Sequence, residues 1–575
     1  MDWLKLSAWI SAAAAVLTAY FGLVLASNLS EPKYLLLLIP AGLLGILARI
    51  LFSKISRQRL LEQLRRAWGA SEKPEKKHNF KEIELYFKLA GKETAFAIDD
   101  RTWADLTGDE IFKYIDRTCT VVGQQYLYKL LRTPVFELDE LKRRSQLIEI
   151  FQSNPGLREQ IQVALTKLQD ASPTAIEMVW EPPALPSLRY GWAYNLLFYS
   201  ACAAPVILLF SLPFGVLVVI AIFIINLFIH NKMHKRISGF FHTIRTLTVL
   251  VELAGKLAAV QELHRTYDAP RVTNALKRVK GFQRIASTIG LESADPILGS
   301  LLQYLSIYFL LDVRGFERAI AQVRQNRSEL LCLYQWVGEL DALQAAASYR
   351  DSLAYYCEPE LKIGVSSNDP EKLIGVEMYH PLLREPVPNS LTIGEKGILI
   401  TGSNMSGKST FLRTVGVNAL FAQSIFTCFA RRYSSRFVKL MTVIGRADNL
   451  IEGKSYYLVE AQSILRIIKE IETDNKTVIM AIFDEMYRGT NSEERITAGF
   501  RVLKFAAQKH TVILAATHDL ELTEMLTKQY VNYHFREKIG EYGLEFDYTL
   551  KPGPSQTRNA IELLKILGYP KEITG

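Results

Sequence analysis

The sequence predicts an α/β domain in the C-terminal third of the chain, an all-α region ahead of it, and four membrane-crossing helices. Three observations carry this reading. Runs that are apolar throughout, at 397–401, 477–483 and 511–516, alternate with helical patterns beyond about Val376, as do strands buried on both faces of an α/β sheet. Apolar residues at three- and four-residue spacing dominate 80–180 and 235–355, most clearly in 244–263 and 327–353. Apolar stretches long enough to cross about 30 Å of hydrocarbon occur in two pairs, each pair joined by a proline-containing turn.

Taken in order, 6–30 hold no charged side chain and 34–52 hold only Arg49, so 1–52 is expected to form a transmembrane hairpin turning at Pro32. The first segment also fits a cleaved signal peptide, but a second apolar segment directly behind it favours a retained span. A basic linker is expected at 53–82, with eight Lys/Arg against three Glu between Ser53 and Lys77. Following an apolar segment, such a block reads as a cytoplasmic retention signal rather than a DNA-binding surface, despite the net charge of +9. Residues 83–190 are expected to be the first part of a helical core. No Asp, Glu, Lys or Arg occurs from 191 to 230, and Ser211-Leu-Pro213 divides this run into spans at 191–211 and 213–230. Lys232, His234, Lys235 and Arg236 follow it, so both hairpins carry their basic flanks on one side. This predicts a multi-pass protein of the cell (inner or plasma) membrane, with 53–190 and 231–575 in the cytoplasm. The five cysteines are scattered without a CxxC pair, which argues against a disulfide framework or a zinc site.

Lever or core helices are expected at 231–365 and the α/β domain at 366–575. Within the latter, Gly402-Ser-Asn-Met-Ser-Gly-Lys-Ser409 satisfies the P-loop pattern, follows a predicted strand and opens a predicted helix. Glycines at both ends let the backbone wrap its N–H groups around phosphate oxygens, and the helix N-terminus adds partial positive charge. Gly402, Ser403, Asn404, Met405, Ser406, Gly407, Lys408, Ser409 and Thr410 are therefore the expected ATP-phosphate ligands. Lys408 should reach the β- and γ-phosphates and Ser409 should ligate Mg²⁺. The next apolar strand ends in Asp484-Glu485, placing Asp484 as the second Mg²⁺ group and Glu485 as the residue that orients or deprotonates the attacking water. The third ends in Ala516-Thr-His518, putting His518 at the same sheet edge as a γ-phosphate sensor. The cofactors expected are ATP and Mg²⁺, and the catalytic set is Glu485, Lys408 and His518.

Thr401-Gly-Ser-Asn-Met-Ser-Gly-Lys-Ser-Thr-Phe-Leu-Arg413 resembles the P-loop of the MutS mismatch-repair ATPases. Asp484-Glu-Met-Tyr-Arg-Gly-Thr490 is similar to that family's DE-x-x-RGT run, Ala516-Thr-His-Asp-Leu-Glu-Leu522 to its ATH-x-x-EL run, and His380-Pro to its HP motif. The segment from Asp448 through Ser455 to Glu460 looks like the one that completes a neighbouring subunit's site, and the tail from Lys551 to Pro570 looks like the family's closing helix. Upstream, 99–106 and 116–123 look like the start of the helical core, and Gly338-Glu-Leu-Asp-Ala-Leu343 like the end of the lever helices. Ser403, Ser406 and Tyr487 depart from the family's usual Pro, Gly and Gly.

The resemblance implies a homodimer with Ser455 acting in trans, and DNA as a partner. Two membrane spans and a linker fill the segment where a mismatch-reading domain and a connector would stand, and the hairpin at 191–230 lies where the DNA clamp is expected. Mismatch specificity is thereby placed in doubt. Two readings stay open: a membrane-anchored ATPase that binds mismatched or structured DNA, and an ATP-driven membrane switch or scaffold without DNA recognition. An ABC-transporter half shares the P-loop, acidic pair and His, but no LSGGQ-like helix start precedes Thr477.

Overall fold

A computed structural model of the chain describes residues 2–29, 31–71, 76–91, 94–181, 191–264, 269–286, 296–362, 371–403, 405–445, 456–474, 476–508, 510–540, 543–555, 569–570 and 572. Three helices among these are long and apolar enough to cross a membrane: Trp3–Asn28, Pro32–Ala67 and Leu212–Leu257. They bury only 6%, 11% and 11% of their apolar windows inside the protein. Side chains such as Trp9, Leu36, Leu43 and Phe228 stay exposed, a surface that water solvates poorly.

The structure redraws several expected boundaries. Gly191–Ile207 is a 17-residue helix with Pro205 inside it, shorter than the other three. A new helix starts at Leu212, with Pro213 in its first turn. It continues unbroken to Leu257, so no element boundary separates the second apolar span from the lever. The basic stretch expected as a linker is instead largely helix: Leu38–Ala67 runs through it because Leu60, Leu61 and Leu64 repeat at helical spacing. It docks on the core through Arg65 and Glu159 (2.7 Å) and through Trp68 Nε1, which donates to Asp351 at 2.6 Å. Pro296–Phe309, expected among lever helices, packs against the second hairpin. Asn226 Nδ2 donates to Tyr308 O (2.6 Å), and the Tyr308 hydroxyl donates to Ala201 O (3.1 Å).

The helical core centres on Arg327–Arg350, whose second half is buried on all sides. It crosses Val121–Arg132 at a junction built from two segments far apart in sequence. Asp341 accepts hydrogen bonds from the backbone N–H groups of Cys119 (2.8 Å) and Thr120 (2.9 Å) and from the Thr120 hydroxyl (2.7 Å). The helices approach so closely that a Cβ on Gly123 would lie 2.2 Å from the Asp341 carboxylate.

The α/β domain contains ten strands among the described residues: β1 (Glu360–Lys362), β2 (Leu373–Met378), β3 (Asn389–Ile393), β4 (Gly397–Thr401), β5 (Arg432–Arg436), β6 (Val438–Val443), β7 (Val478–Asp484), β8 (Thr511–Ala516), β9 (Tyr530–Gly540) and β10 (Gly543–Pro552). One sheet runs β1-β5-β2-β3 and the other β10-β9-β4-β8-β7-β6. In the larger sheet β4, β6, β7, β8 and β9 are parallel, and β4, β7 and β8 are buried on both faces as their unbroken apolar runs require. Ile400 and Asp484 both pair with Ala516, so the C-terminal ends of β4, β7 and β8 form one edge.

Candidate functional site

That edge gathers the sequence-predicted residues. β4 turns through Gly402 (φ +145°) and Gly407 (φ +106°) into the helix Lys408–Ala422. Both angles lie in the region that glycine adopts without a steric penalty. A Cβ on Gly402 would also stand 2.8 Å from Phe535 O. Between them, Met405 is exposed with φ +70°, and the Ser406 hydroxyl is buried without a hydrogen-bond partner among the described residues. Asn404 and Ser455 lie outside the described residues, as do 446–455 and 556–568.

Lys408 Nζ donates to Gly402 O and Ser403 O, both at 2.8 Å, and stands 3.5 Å from His518 Nε2. The Ser409 hydroxyl donates to Asp484 Oδ2 at 2.5 Å, while Asp484 Oδ1 is buried without a partner among the described residues. Glu485 follows at φ +51° and donates its N–H to Ala516 O (2.9 Å). Its carboxylate sits 2.8 Å from His518 Nε2 and forms an ion pair with Arg488. Burial pushes the Asp484 carboxyl upward, and the neighbouring Glu485 charge adds to this against the Ser409 hydrogen bond. Burial also opposes ionisation of Glu485, but His518 and Arg488 outweigh it and the net shift is downward. Glu485 is thus held as a carboxylate beside a cationic cluster.

A cavity of about 590 Å³ opens over the loop, lined by Lys408, Ser409, Thr410, Glu485, His380 and Tyr548 among others. A smaller one of about 30 Å³, a single-water scale, lies behind the acidic pair against Arg101, Glu460 and Arg488. Glu485 therefore borders both.

Arg101, His380, Glu460, Arg488 and Tyr548 received no individual role from the sequence. Arg488 and His380 stood inside motifs already singled out, so the signal was present. Tyr548 belongs to the β9–β10 hairpin, whose mixed composition hid it. Glu460 accepts from Tyr487 N–H in the same chain at 2.5 Å, bracing the turn after β7. Tyr487 occupies φ +62°, a strained backbone region for a residue with a side chain.

The donor set fits a nucleotide and a divalent cation. An oriented lysine, a hydroxyl and a carboxylate with one unpaired buried oxygen converge where a helix N-terminus opens. A buried parallel sheet bearing this loop and acidic pair at one edge has the arrangement of an α/β ATPase domain.

Comparison with known proteins agrees. Residues 398–575 match the family model of MutS domain V. The DNA mismatch repair protein MutS of Thermus aquaticus is 35% identical over 198 residues, 34% of this chain and 24% of that protein. MutS of Streptococcus equi subsp. equi is 29% identical over 297 residues, 49% of this chain and 34% of the relative, and MutS of Aquifex pyrophilus is 30% identical over 262 residues. The chain spans about a quarter to a third of the length of these curated relatives. Residues 398–575 thus carry a domain of the MutS domain V family.

Proposed function

We propose that the chain is a membrane-anchored, Mg²⁺-dependent ATPase of MutS type that works as a dimer. The observation that carries the reading is the convergence of Lys408, Ser409, Asp484, Glu485 and His518 on one sheet edge beside a nucleotide-sized cavity. Lys408 releases the Gly402 and Ser403 carbonyls and turns its charge to the β- and γ-phosphates. Gly402, Ser403, Asn404, Met405, Ser406, Gly407 and Thr410 complete the phosphate cradle. Ser409 and Asp484 would hold Mg²⁺, which would supply charge neutralisation for phosphoryl transfer. Glu485 orients the attacking water and accepts its proton, with His518 and Arg488 fixing the carboxylate. Ser455 reaches the γ-phosphate held by the partner subunit. Replacing Ser455 by alanine is expected to lower the ATPase rate and abolish nucleotide-driven dimerisation.

The three long apolar helices, with the shorter Gly191–Ile207 as a fourth span, anchor the chain in the cell membrane, with the ATPase domain in the cytoplasm. Movement at the nucleotide passes to them along Leu212–Leu257, which is continuous from its exposed apolar half to the buried core. This favours an ATP-driven membrane switch. A second reading, DNA binding, is supported by the likeness of the ATPase region to DNA mismatch repair proteins. ATPase rates of the full chain in lipid nanodiscs, with homoduplex, heteroduplex or branched DNA at two salt concentrations, separate them. A switch predicts equal rates with and without DNA. Salt-sensitive stimulation by any of the three would establish the second reading.

A further inference from the structure

The charge-free run ends on His230, and the Leu212–Leu257 helix carrying it continues into the core through Ile244, Leu247 and Leu250. His230 and His234 are one helical turn apart on the same face. Their rings stack with centroids 5.1 Å apart and planes inclined by 23°. Facing them is Asp312, in the first turn of the helix Leu311–Gln325. One donor atom from each of the three lies within 4.8 Å of the other two. His230 is 6% exposed, Asp312 8%, and His234 is half-buried. None of them lines the nucleotide cavity.

Two details bear on what this cluster can hold. His230 Nε2 and Asp312 Oδ2 stand 3.6 Å apart, too far for a hydrogen bond. That gap is close to the roughly 3.4 Å between two ligands of one tetrahedral ion with bonds of about 2.0–2.1 Å. In addition, the Nδ1 atoms of His230 and His234 are buried without a hydrogen-bond partner among the described residues. Leaving an imidazole nitrogen dry and unpaired is costly; coordination through Nδ1 removes that cost at His234, whereas His230 turns Nε2 to Asp312 and would ligate through that atom.

We propose that His230, His234 and Asp312 bind a divalent transition-metal ion, Zn²⁺ by ligand type and spacing, with water in the fourth position. The ion staples Leu212–Leu257 to Leu311–Gln325 where the long helix leaves its apolar segment. The cysteine pattern pointed away from zinc because it spoke only to thiolates. Here the ligands are imidazoles at i and i+4, and the third comes from a helix remote in sequence. Such a staple stiffens the junction through which core movement reaches the membrane; that role rests on the function proposed above, whereas metal binding does not.

The test uses full-length protein purified in detergent through a tag without histidines. Elemental analysis is expected to find close to one zinc per chain. After chelation, Co²⁺ titration should give the intense visible band of a tetrahedral site. His234→Gln and Asp312→Asn should each weaken zinc binding by at least about tenfold while leaving the ATPase rate unchanged. His234→Cys, exchanging one zinc ligand for another, should keep the metal and shift the Co²⁺ band, which guards against a variant that merely fails to fold. Wild-type protein that holds no zinc and gives no Co²⁺ band would overturn the proposal. So would a folded His234→Gln/Asp312→Asn double variant that keeps wild-type zinc, or iron found in place of zinc.

Discussion

At the scale of single residues, the site depends on which groups are kept charged and which neutral. His380 lines the nucleotide cavity, and burial, reinforced by Arg413, depresses its imidazole from 6.5 to about 4. Between those values the unfolded chain binds the proton and the folded one does not. This residue's contribution is therefore complete above pH 6.5 and lost as pH falls to about 4, on the order of 3 kcal/mol in all. Thermal midpoints at pH 7 and pH 5 check this: His380→Gln should lose less on acidification than wild type. Most of the phosphate loop was legible in the sequence because its chemistry is local, with glycine, lysine and serine at fixed spacing. Arg488 and His380 were visible within motifs without an assigned role, because a role depends on what the fold brings opposite. Tyr548 and the same-chain bond from Tyr487 to Glu460 had no local signal.

At the scale of elements, two joints tie the helical core to the nucleotide domain. Asp105 accepts from the Thr442 hydroxyl and Ile444 N–H, both at 2.8 Å, while Arg413 Nε donates to Asp105 O at 2.8 Å. At the far end of the phosphate-loop helix, buried Arg350 donates to Ile425 O (3.2 Å), Phe426 O (2.9 Å) and the Thr427 hydroxyl (2.8 Å). Replacing Arg350 with methionine fills much of the volume but strips the donors from those buried carbonyls. It should cost on the order of 3 kcal/mol and lower the thermal midpoint by several degrees. An unchanged midpoint would show that the joint carries no stability. The buried strands were readable as unbroken apolar runs. The long helices defeated boundary placement: periodicity continues through Leu38–Ala67 and Leu212–Leu257 although composition changes from apolar to basic within each. The junction of Gly123 with Asp341 joins two segments the sequence had singled out separately, and only packing shows why both are needed.

On the scale of the whole molecule, a MutS-type ATPase domain shares one chain with three helices long and apolar enough to cross a membrane. The two-hairpin arrangement predicts that Lys33, exposed at the start of the second span, faces away from the cytoplasm, while Asn231 faces it. In a cysteine-free background, an impermeant maleimide should label Lys33→Cys in intact cells and Asn231→Cys only after permeabilisation; the reverse order would refute this topology. The most direct measurement of the central claim is ATP turnover by the full chain in lipid nanodiscs with and without Mg²⁺, for wild type and Glu485→Gln. Wild type should hydrolyse ATP only with Mg²⁺, and the variant should bind ATP with similar affinity but hydrolyse it at least about 100-fold more slowly. Hydrolysis by Glu485→Gln at the wild-type rate, or a wild type that turns over ATP equally without Mg²⁺, would contradict that claim.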